Sequence, residues 1–284
     1  MSELKLIYEP TVYLMGRMSP LVPDAADYVE ACGGNPVALL SQDVSGPELL
    51  CEVAGRTCYQ SFRTPRPGGN AAYLKHILES GHGSVLEHAV YAFVFTGLSR
   101  SLTHELVRHR AGWSYSELSQ RYVDCTDVAF VVPPALSAAV WAARAADDDG
   151  KPETGPRTME EWAGQTWLAA CKRALIAYGG LVEHLVQKAP PELPATDRRK
   201  WARQAARSVL PNCTETKIHC TTNARAIRHF IELRGSRHAD TEIRRLAVAL
   251  LHVMRQQAPN LFGDYRLQDL PDGSQEVLTD WRKV

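Results

Sequence analysis

The chain is organised around one polar stretch, Arg108-His109-Arg110-Ala111-Gly112-Trp113-Ser114-Tyr115-Ser116-Glu117-Leu118-Ser119-Gln120-Arg121-Tyr122. It holds three arginines, a histidine, a carboxylate and several hydroxyl groups, which is more hydrogen-bonding capacity than a core or an ordinary surface helix requires. Positive charges held close together are stabilised best by an anion, and the planar guanidinium fork binds phosphate or a carbonyl edge. We therefore predict that this stretch binds an anion that carries a polar ring.

Composition indicates a globular protein without a strong preference for one sign of charge. Of the 284 residues 45% are hydrophobic and 23% are charged, and lysine plus arginine equals aspartate plus glutamate at 32 each. A formal net charge of zero gives no overall positive field that attracts nucleic acid, and no basic stripe is interleaved with aromatic residues. We expect any anion site to be local and expect no nucleic-acid partner.

Cysteine usage and the start of the chain bear on the cellular compartment. The seven cysteines are scattered and include no C-x-x-C pair, which argues against a disulfide framework or a structural zinc site and is typical of a reducing, cytoplasmic environment. Residues 1–5 show no basic region followed by an apolar run, and no run of about 18 apolar residues occurs anywhere. We expect neither secretion nor a membrane span.

The pattern on the N-terminal side of the polar stretch predicts short elements. Residues 1–36 are interrupted by prolines and paired glycines, so we predict a peripheral N-terminal extension with little regular structure, followed by a main domain at 37–284. Asn70 is the predicted N-cap of one helix and Gly81 its predicted terminator. The elements predicted here are a strand at Val37–Leu40, a helix opened by Ser45-Gly46-Pro47-Glu48 and ending near Ser61, a helix at Ala71–Ser80, a strand at Ala89–Thr96 and a helix capped by Ser99.

The C-terminal side of the stretch is mainly helical by its periodicity. The elements predicted here are a strand at Tyr122–Val132, a helix at Leu136–Ala146, a solvated loop at Asp147–Pro156, a long helix at Met159–Gln187, a basic helix at Arg198–Ser208, a strand at Thr214–Thr222 and helices at Ala224–Arg234 and Thr241–Gln257. No low-complexity linker divides them. We therefore predict a single α+β domain with a mostly antiparallel central sheet flanked by helices.

Two groups of histidines raise the question of a metal site. The segment His104–His109 resembles a zinc protease signature, but that chemistry needs histidines four residues apart and these are five apart. For His82 and His88 with Glu87, a ligand role and simple hydrogen bonding in a turn are equally open. We predict no metal centre.

The sequence gives little indication of a catalytic cysteine. Neither Cys213 nor Cys220 has a helix N-terminus or a base fixed beside it by the sequence. We expect both thiols to be buried and inert.

The residues resemble a known family, the flavin-dependent thymidylate synthases. Its hallmark is Arg-His-Arg followed by a serine and an Arg-Tyr pair, and Arg108-His109-Arg110 and Ser119-Gln120-Arg121-Tyr122 match it. The resemblance covers about residues 37–265 in order. Its other matched blocks are His82-Gly83-Ser84 with Glu87-His88, Ala206-Arg207-Ser208-Val209-Leu210-Pro211, Asn223-Ala224-Arg225, His229-Phe230, Leu233-Arg234, His238-Ala239-Asp240 and Glu242-Ile243-Arg244.

The resemblance implies reductive methylation at C5 of the uracil ring of a uridine monophosphate nucleotide, a step of nucleotide biosynthesis. Methylenetetrahydrofolate gives the carbon, reduced FAD gives the hydride, and NADPH reduces the flavin; no covalent enzyme thiolate takes part. The resemblance also implies a homotetramer whose active sites draw on several subunits. The alternative is a nucleotide-binding or regulatory homologue without catalysis.

By matched position, the resemblance assigns activation of the uracil ring to Arg234, whose cation stabilises negative charge on the ring. It assigns nucleotide binding to Glu105, Arg108, Glu117, Leu118, Ser119, Gln120, Arg121, Arg207 and Arg234. It assigns FAD binding to Ser84, Arg108, His109, Arg110, Glu117, Asn223, Ala224, Arg225 and His229. Glu105 joins the nucleotide site because it lies one helical turn before Arg108.

The spacing inside the polar stretch departs from the family's pattern. Eight residues, 111–118, separate Arg110 from Ser119, where the family has seven. The additional residue bulges the loop that, in the family, carries the sugar and phosphate of the nucleotide. We therefore predict that UMP is accepted as well as or instead of dUMP, as in relatives from nucleoside-antibiotic pathways.

Overall fold

The computed structural model describes residues 3–64, 66–148 and 158–282. The strands within these residues are β1 (Leu6–Ile7), β2 (Thr11–Arg17), β3 (Val90–Ser99), β4 (Trp113–Glu117), β5 (Phe130–Val131), β6 (Glu215–Asn223), β7 (Arg266–Asp269) and β8 (Gln275–Leu278). The α-helices are α1 (Val22–Ala31), α2 (Pro36–Leu40), α3 (Gly46–Tyr59), α4 (Gly69–Glu79), α5 (Arg100–Leu106), α6 (Ser137–Asp148), α7 (Met159–Lys188), α8 (Ala195–Ala206), α9 (Ala224–Arg234), α10 (Thr241–Gln257) and α11 (Pro259–Phe262). Short 3₁₀ helices occupy Gly83–His88, Pro134–Leu136 and Arg207–Val209.

The largest sheet has four strands in the order β2-β3-β6-β4. Separately, β1 pairs in parallel with β5, and β7 pairs antiparallel with β8. The predicted combination of helices with an antiparallel sheet is confirmed. Among the described helices, none is long and apolar enough to cross a membrane.

Contacts group the chain into two compact units that alternate along the sequence. The first unit comprises residues 1–10, 96–104 and 117–218, and the second comprises 11–95, 105–116 and 219–284. In the first unit, α7 packs against α6 and α8, and one buried cluster holds Cys125, Tyr178 and Ala206. In the second unit, Tyr91, Phe93 and Phe95 of β3 are fully buried, and α9 packs against α10.

The longer helices form where the sequence predicts them. Helix α3 opens with a capping box in which Ser45 N donates to Glu48 Oε2 at 2.9 Å, and Pro47 occupies its first turn. Such caps satisfy amide groups that have no partner within the helix. Ser99 caps α5, since its hydroxyl accepts a hydrogen bond from Leu102 N at 3.0 Å. The predicted helices at 136–146, 159–187, 198–208, 224–234 and 241–257 are all confirmed, with ends shifted by a few residues.

The N-terminal predictions are partly wrong. Residues 1–36 were expected to have little regular structure, but they contain β1, β2 and α1. The predicted strand at Val37–Leu40 is helix α2, because Pro36 takes its first position and the Asn35 side chain accepts a hydrogen bond from Ala38 N at 3.0 Å. The extension as a separate domain stays a prediction.

The predicted N-cap Asn70 is also wrong. The cap is Gly68, whose φ of +91° suits glycine. Asn70 lies inside α4, where its Nδ2 donates to Glu48 O at 3.1 Å and to Glu52 Oε2 at 2.9 Å. Gly81, with a φ of +67°, follows α4 as predicted.

The predicted strand at Tyr122–Val132 is reduced to the two residues of β5. A strand that was not predicted, β4, lies inside the polar stretch instead. Ser119 O accepts hydrogen bonds from Tyr122 N and Val123 N at 3.1 and 3.0 Å, so the chain turns here rather than extending. Of the predicted loop at 147–156, residues 147–148 end α6 and the rest lies outside the described residues.

Candidate active site

Arg234 is held by hydrogen bonds to two other predicted site residues. It is the last residue of α9, and its Nη1 donates to Glu105 Oε2 at 2.7 Å while its Nε donates to His109 Nε2 at 2.9 Å. The two partners leave Nη2 without a protein partner in the described part of the chain. Its side chain remains 20% exposed. The structure thus brings together three predicted site residues around one guanidinium that still has N–H groups to offer.

His109 accepts the hydrogen bond from Arg234 as a neutral ring. Because Arg234 Nε only donates, the proton of neutral His109 lies on Nδ1. The ring is buried and lies edge-on to Phe230, with ring centres 5.1 Å apart. Burial, Arg234 and the neighbouring His229 lower the pKa of His109 from 6.5 to about 4. A neutral ring adds no positive charge beside Arg234.

The Arg-His-Arg segment leads into a tight turn at the start of the eight-residue stretch 111–118. Trp113 N donates to Arg110 O at 3.3 Å, and Gly112, the third residue of the turn, has a φ of +73°. Glycine is favoured at this position of such a turn. A Cβ on Gly112 would lie 2.9 Å from both Ala226 Cβ and Asn223 Nδ2. The turn therefore packs closely against the start of α9.

The first turn of α9 carries three of the residues assigned to FAD. Asn223 caps the helix, since its Oδ1 accepts a hydrogen bond from Ala226 N at 2.9 Å. Ala224 is buried, and its N donates to Ala89 O at 2.8 Å. Arg225 is exposed and pairs with Glu87 at 2.6 Å. A surface pair of this kind contributes little to stability, so Arg225 is free to exchange it for a ligand.

The other residues assigned to FAD in this unit are exposed. Ser84 lies in the 3₁₀ helix Gly83–His88 that also holds Glu87, and His229 lies one turn after Arg225 on the same face of α9. The side chains of Arg108 and Arg110 have no hydrogen bond or ion pair with the described residues. Their charges are therefore available to an anion.

Glu117, at the end of β4, belongs to the first unit and is already engaged. Its Oε1 accepts from the Thr103 hydroxyl at 2.9 Å and lies 3.2 Å from Arg100 Nη1. Sequence reasoning missed Thr103 and Arg100. Both lie on α5, which the sequence did predict, but their pairing with β4 required the position of a strand that it did not.

Gln120 and Arg121 carry polar atoms that lack a partner. Gln120 is 6% exposed, and its Nε2 and the Arg121 Nε are buried without a hydrogen bond to the described residues. Buried donors of this kind are rare in proteins and point to a ligand or an ordered water. Leu118 N is used, because it donates to Lys217 O at 2.9 Å.

Two further residues assigned to the nucleotide also lie in the first unit. Ser119 begins the turn that follows β4, and Arg207 is exposed where α8 ends. The unpaired donors of Gln120 and Arg121, together with exposed Arg207, suit a phosphate-bearing ligand.

Cysteine chemistry finds no support. Cys220 is fully buried, and burial raises its pKa to about 12, as expected of an inert thiol. Cys213 is only half-buried, and its Sγ lies 3.7 Å from that of Cys171. The hydrogen bond between these two thiols, together with burial, raises the pKa of Cys171. Among the described residues, no group of three His, Cys, Asp or Glu side chains is arranged to hold a metal ion.

Comparisons with known proteins bear on most of the chain. The family model described as thymidylate synthase complementing protein matches residues 39–260. The flavin-dependent thymidylate synthase of Mycobacterium avium is 48% identical over 241 residues, covering 84% of this chain and 87% of that protein. Those of Mycobacterium sp. (strain JLS) and Mycobacteroides abscessus are 47% and 46% identical, again over 84% of this chain and over 87% and 88% of the relatives.

These matches define the chain first as an enzyme of the methyltransferase class. The chain belongs to the family of flavin-dependent thymidylate synthases.

Proposed function

We propose that this enzyme methylates C5 of uracil in a uridine monophosphate nucleotide, with methylenetetrahydrofolate as the carbon donor. Bound FAD in its reduced form supplies the hydride, and NADPH serves as its reductant. The names of the relatives support dUMP as the nucleotide and a flavin as the cofactor. The observation that carries the proposal is the anchored guanidinium of Arg234 between Glu105 and His109.

Arg234 performs the electrostatic step. Its guanidinium, with Nη2 still free to donate, stabilises the negative charge that develops on the uracil ring as C5 becomes nucleophilic. Glu105 and His109 fix its orientation before the nucleotide binds, so little reorganisation is needed in the transition state. Neutral His109 places no competing positive charge beside it.

Other residues of this chain hold the ligands. Exposed Arg108 and Arg207 and the unpaired donors of Gln120 and Arg121 bind the nucleotide, Arg108 and Arg207 through charge-assisted hydrogen bonds. Arg108 also belongs to the flavin set. The rest of that set is exposed Ser84, Arg110, Arg225 and His229 with His109, Glu117 and the helix start at Asn223-Ala224.

The proposal includes UMP because the chain departs from the family's spacing between Arg110 and Ser119. The additional residue falls in a stretch that begins with the Gly112 turn, in front of β4. Deletion of Ala111 restores the spacing of the family. We expect that deletion to lower turnover of UMP relative to dUMP.

We also propose a homotetramer in the cytoplasm. The family resemblance supports the assembly, and seven cysteines present as thiols rather than disulfides suit a reducing compartment. Light scattering on the purified protein tests the assembly, because a tetramer of this 31.5 kDa chain is well separated from a dimer.

Tritium release from C5-labelled dUMP and UMP tests the reaction, in the presence of the folate, FAD and NADPH. Arg234→Gln should lower kcat by roughly 100-fold, the loss typical for removing one donor to a developing anion. Arg173→Gln, an exposed change on α7, should leave kcat unchanged. Colourless protein that binds nucleotide but releases no tritium would instead favour a homologue without catalysis.

A further inference from the structure

A pocket lies in the second unit, and none of its lining residues belongs to the candidate active site. Its volume is about 420 Å³, within the range of small-molecule sites. One wall comes from Val29, Gly33, Gly34 and Asn35, which precede the region matched by the family model at 39–260. The pocket is thus built partly by a segment outside that region.

The segment between α1 and α2 packs tightly on the loop that follows α3. A Cβ on Gly34 would lie 2.9 Å from Phe62 Cβ and from Val29 Cγ1, and one on Gly33 would lie 2.5 Å from Arg63 Nε. Gly33 has a φ of +75°, which suits glycine. This close packing forms a defined wall and brings Arg63 to its edge.

The charge of the lining is positive. Three arginines, Arg56, Arg63 and Arg66, line the pocket with a single carboxylate, Glu52. Arg56 is committed, because it binds Glu52 at 2.7 Å and donates to Ser61 O at 2.8 Å. The side chains of Arg63 and Arg66 are exposed and have no hydrogen bond or ion pair with the described residues. Two positive charges at the pocket are therefore uncompensated.

The interior of the pocket is apolar. Val29, Leu39 and Phe62 are 1%, 8% and 5% exposed and belong to one buried cluster. A ligand that fits both features has an apolar body and an anionic group for the two guanidinium forks, which match phosphate and carboxylate alike. We propose that this pocket binds a small organic anion, a phosphate ester or a carboxylate, at a site separate from the residues of the proposed reaction.

Calorimetric titration tests the proposal on enzyme saturated with FAD and dUMP, so that the candidate active site is filled. The probes are 4-nitrophenyl phosphate and 4-nitrobenzoate, which share an aromatic body and differ in the anionic group. Wild-type protein and Arg173→Gln should bind at least one probe with equal affinity. The stronger probe identifies the ligand as a phosphate ester or a carboxylate.

Variants of the two arginines locate the binding. The double variant R63Q/R66Q should raise Kd by roughly 10-fold to 100-fold through loss of charge-assisted hydrogen bonds, and R63K/R66K should fall between it and the wild type because lysine keeps the charge but not the fork. Both side chains are exposed, so folding should be unaffected, which circular dichroism checks. Equal Kd values in wild type and R63Q/R66Q, or no binding of either probe at millimolar concentration, would overturn the proposal.

Discussion

Arg234 is held by two residues of different chemistry. Glu105 is a carboxylate at 2.7 Å, whereas His109 is a buried ring that must stay neutral to accept the hydrogen bond from Arg234 Nε. The lowered pKa of His109, about 4, keeps the ring neutral at physiological pH. The arrangement therefore depends on the absence of a proton at one atom, His109 Nε2.

The pH dependence of the free energy of unfolding should show that His109 has to stay neutral. The unfolded chain protonates His109 below pH 6.5, whereas the folded chain does so only near pH 4, so the free energy of unfolding falls as pH drops between these values and is unaffected by His109 above them. The loss at the acid end should approach about 3 kcal/mol. His109→Gln keeps an acceptor but cannot titrate, so urea unfolding should show a shallower pH dependence for it. Equal slopes for variant and wild type would contradict the assignment.

Gln120 offers a test of ligand binding at a single residue. A buried amide without a partner costs about 1–3 kcal/mol, so Gln120→Leu should leave the free energy of unfolding of the ligand-free enzyme equal or about 1 kcal/mol higher. The Kd for dUMP should rise by roughly tenfold. Thr216→Val in β6 is the matched control, because the Thr216 hydroxyl is also buried without a described partner. Thr216→Val should change the free energy of unfolding and leave the Kd for dUMP unchanged. A lower free energy of unfolding in Gln120→Leu would indicate that Gln120 stabilises the fold instead of binding the nucleotide.

At the scale of elements, the Gly112 turn joins the Arg-His-Arg segment to β4 and packs on the cap of α9. Gly112→Ala combines a strained φ with contacts of 2.9 Å to Ala226 and Asn223, and should lower the free energy of unfolding by about 2–4 kcal/mol. Gly81→Ala is the matched control, because Gly81 has a similar φ of +67° but nothing within 4 Å of the added Cβ. Its cost should be about 1–2 kcal/mol. Thermal unfolding of both variants measures the difference, and equal losses would show that the contact with α9 is not tight.

Long amphipathic helices were predictable and short apolar segments were not. Helices α7, α9 and α10 follow from their apolar faces, because a repeat of 3.6 residues over many turns has few alternatives. Val37–Leu40 is too short for its periodicity to distinguish helix from strand. The N-cap at Asn35 makes the segment a helix. The strand β4 was not predicted because its polar residues were interpreted as part of a binding site. Tertiary pairing, not local propensity, fixes it.

For the whole molecule, the N-terminal residues are part of the main sheet. Strand β2 is one of the two edge strands in the order β2-β3-β6-β4, so removal of residues 1–18 would leave the long apolar strand β3 as an unprotected edge. Exposed edges of this kind promote aggregation. We expect the truncated protein to be largely insoluble and its soluble fraction to unfold at a lower temperature. Removal of residues 1–3 is the control and should change neither; a soluble, stable truncation would contradict the structural role of β2.

The sequence identified residues of the candidate site but not the contacts between them. The identities of Glu105, His109 and Arg234 followed from the resemblance, but their mutual bonds join residues more than 120 positions apart. Such contacts depend on the placement of β6 between β3 and β4, and strand order across a sheet leaves no local signal in the sequence. The supporting residues Thr103 and Arg100 were missed for the same reason.

Helix α9 also acts as a rigid spacer. Arg225 and Arg234 stand at its two ends, nine residues apart, which corresponds to about 14 Å along the axis. Asn223 fixes the start of this spacer and the bonds of Arg234 fix its end. Nine residues are two and a half turns, so the two side chains leave the helix on opposite faces. A single ligand that contacts both guanidinium groups therefore has to pass around the helix as well as extend along it. A mononucleotide bound at the Arg234 end leaves the Arg225 end open to a second molecule.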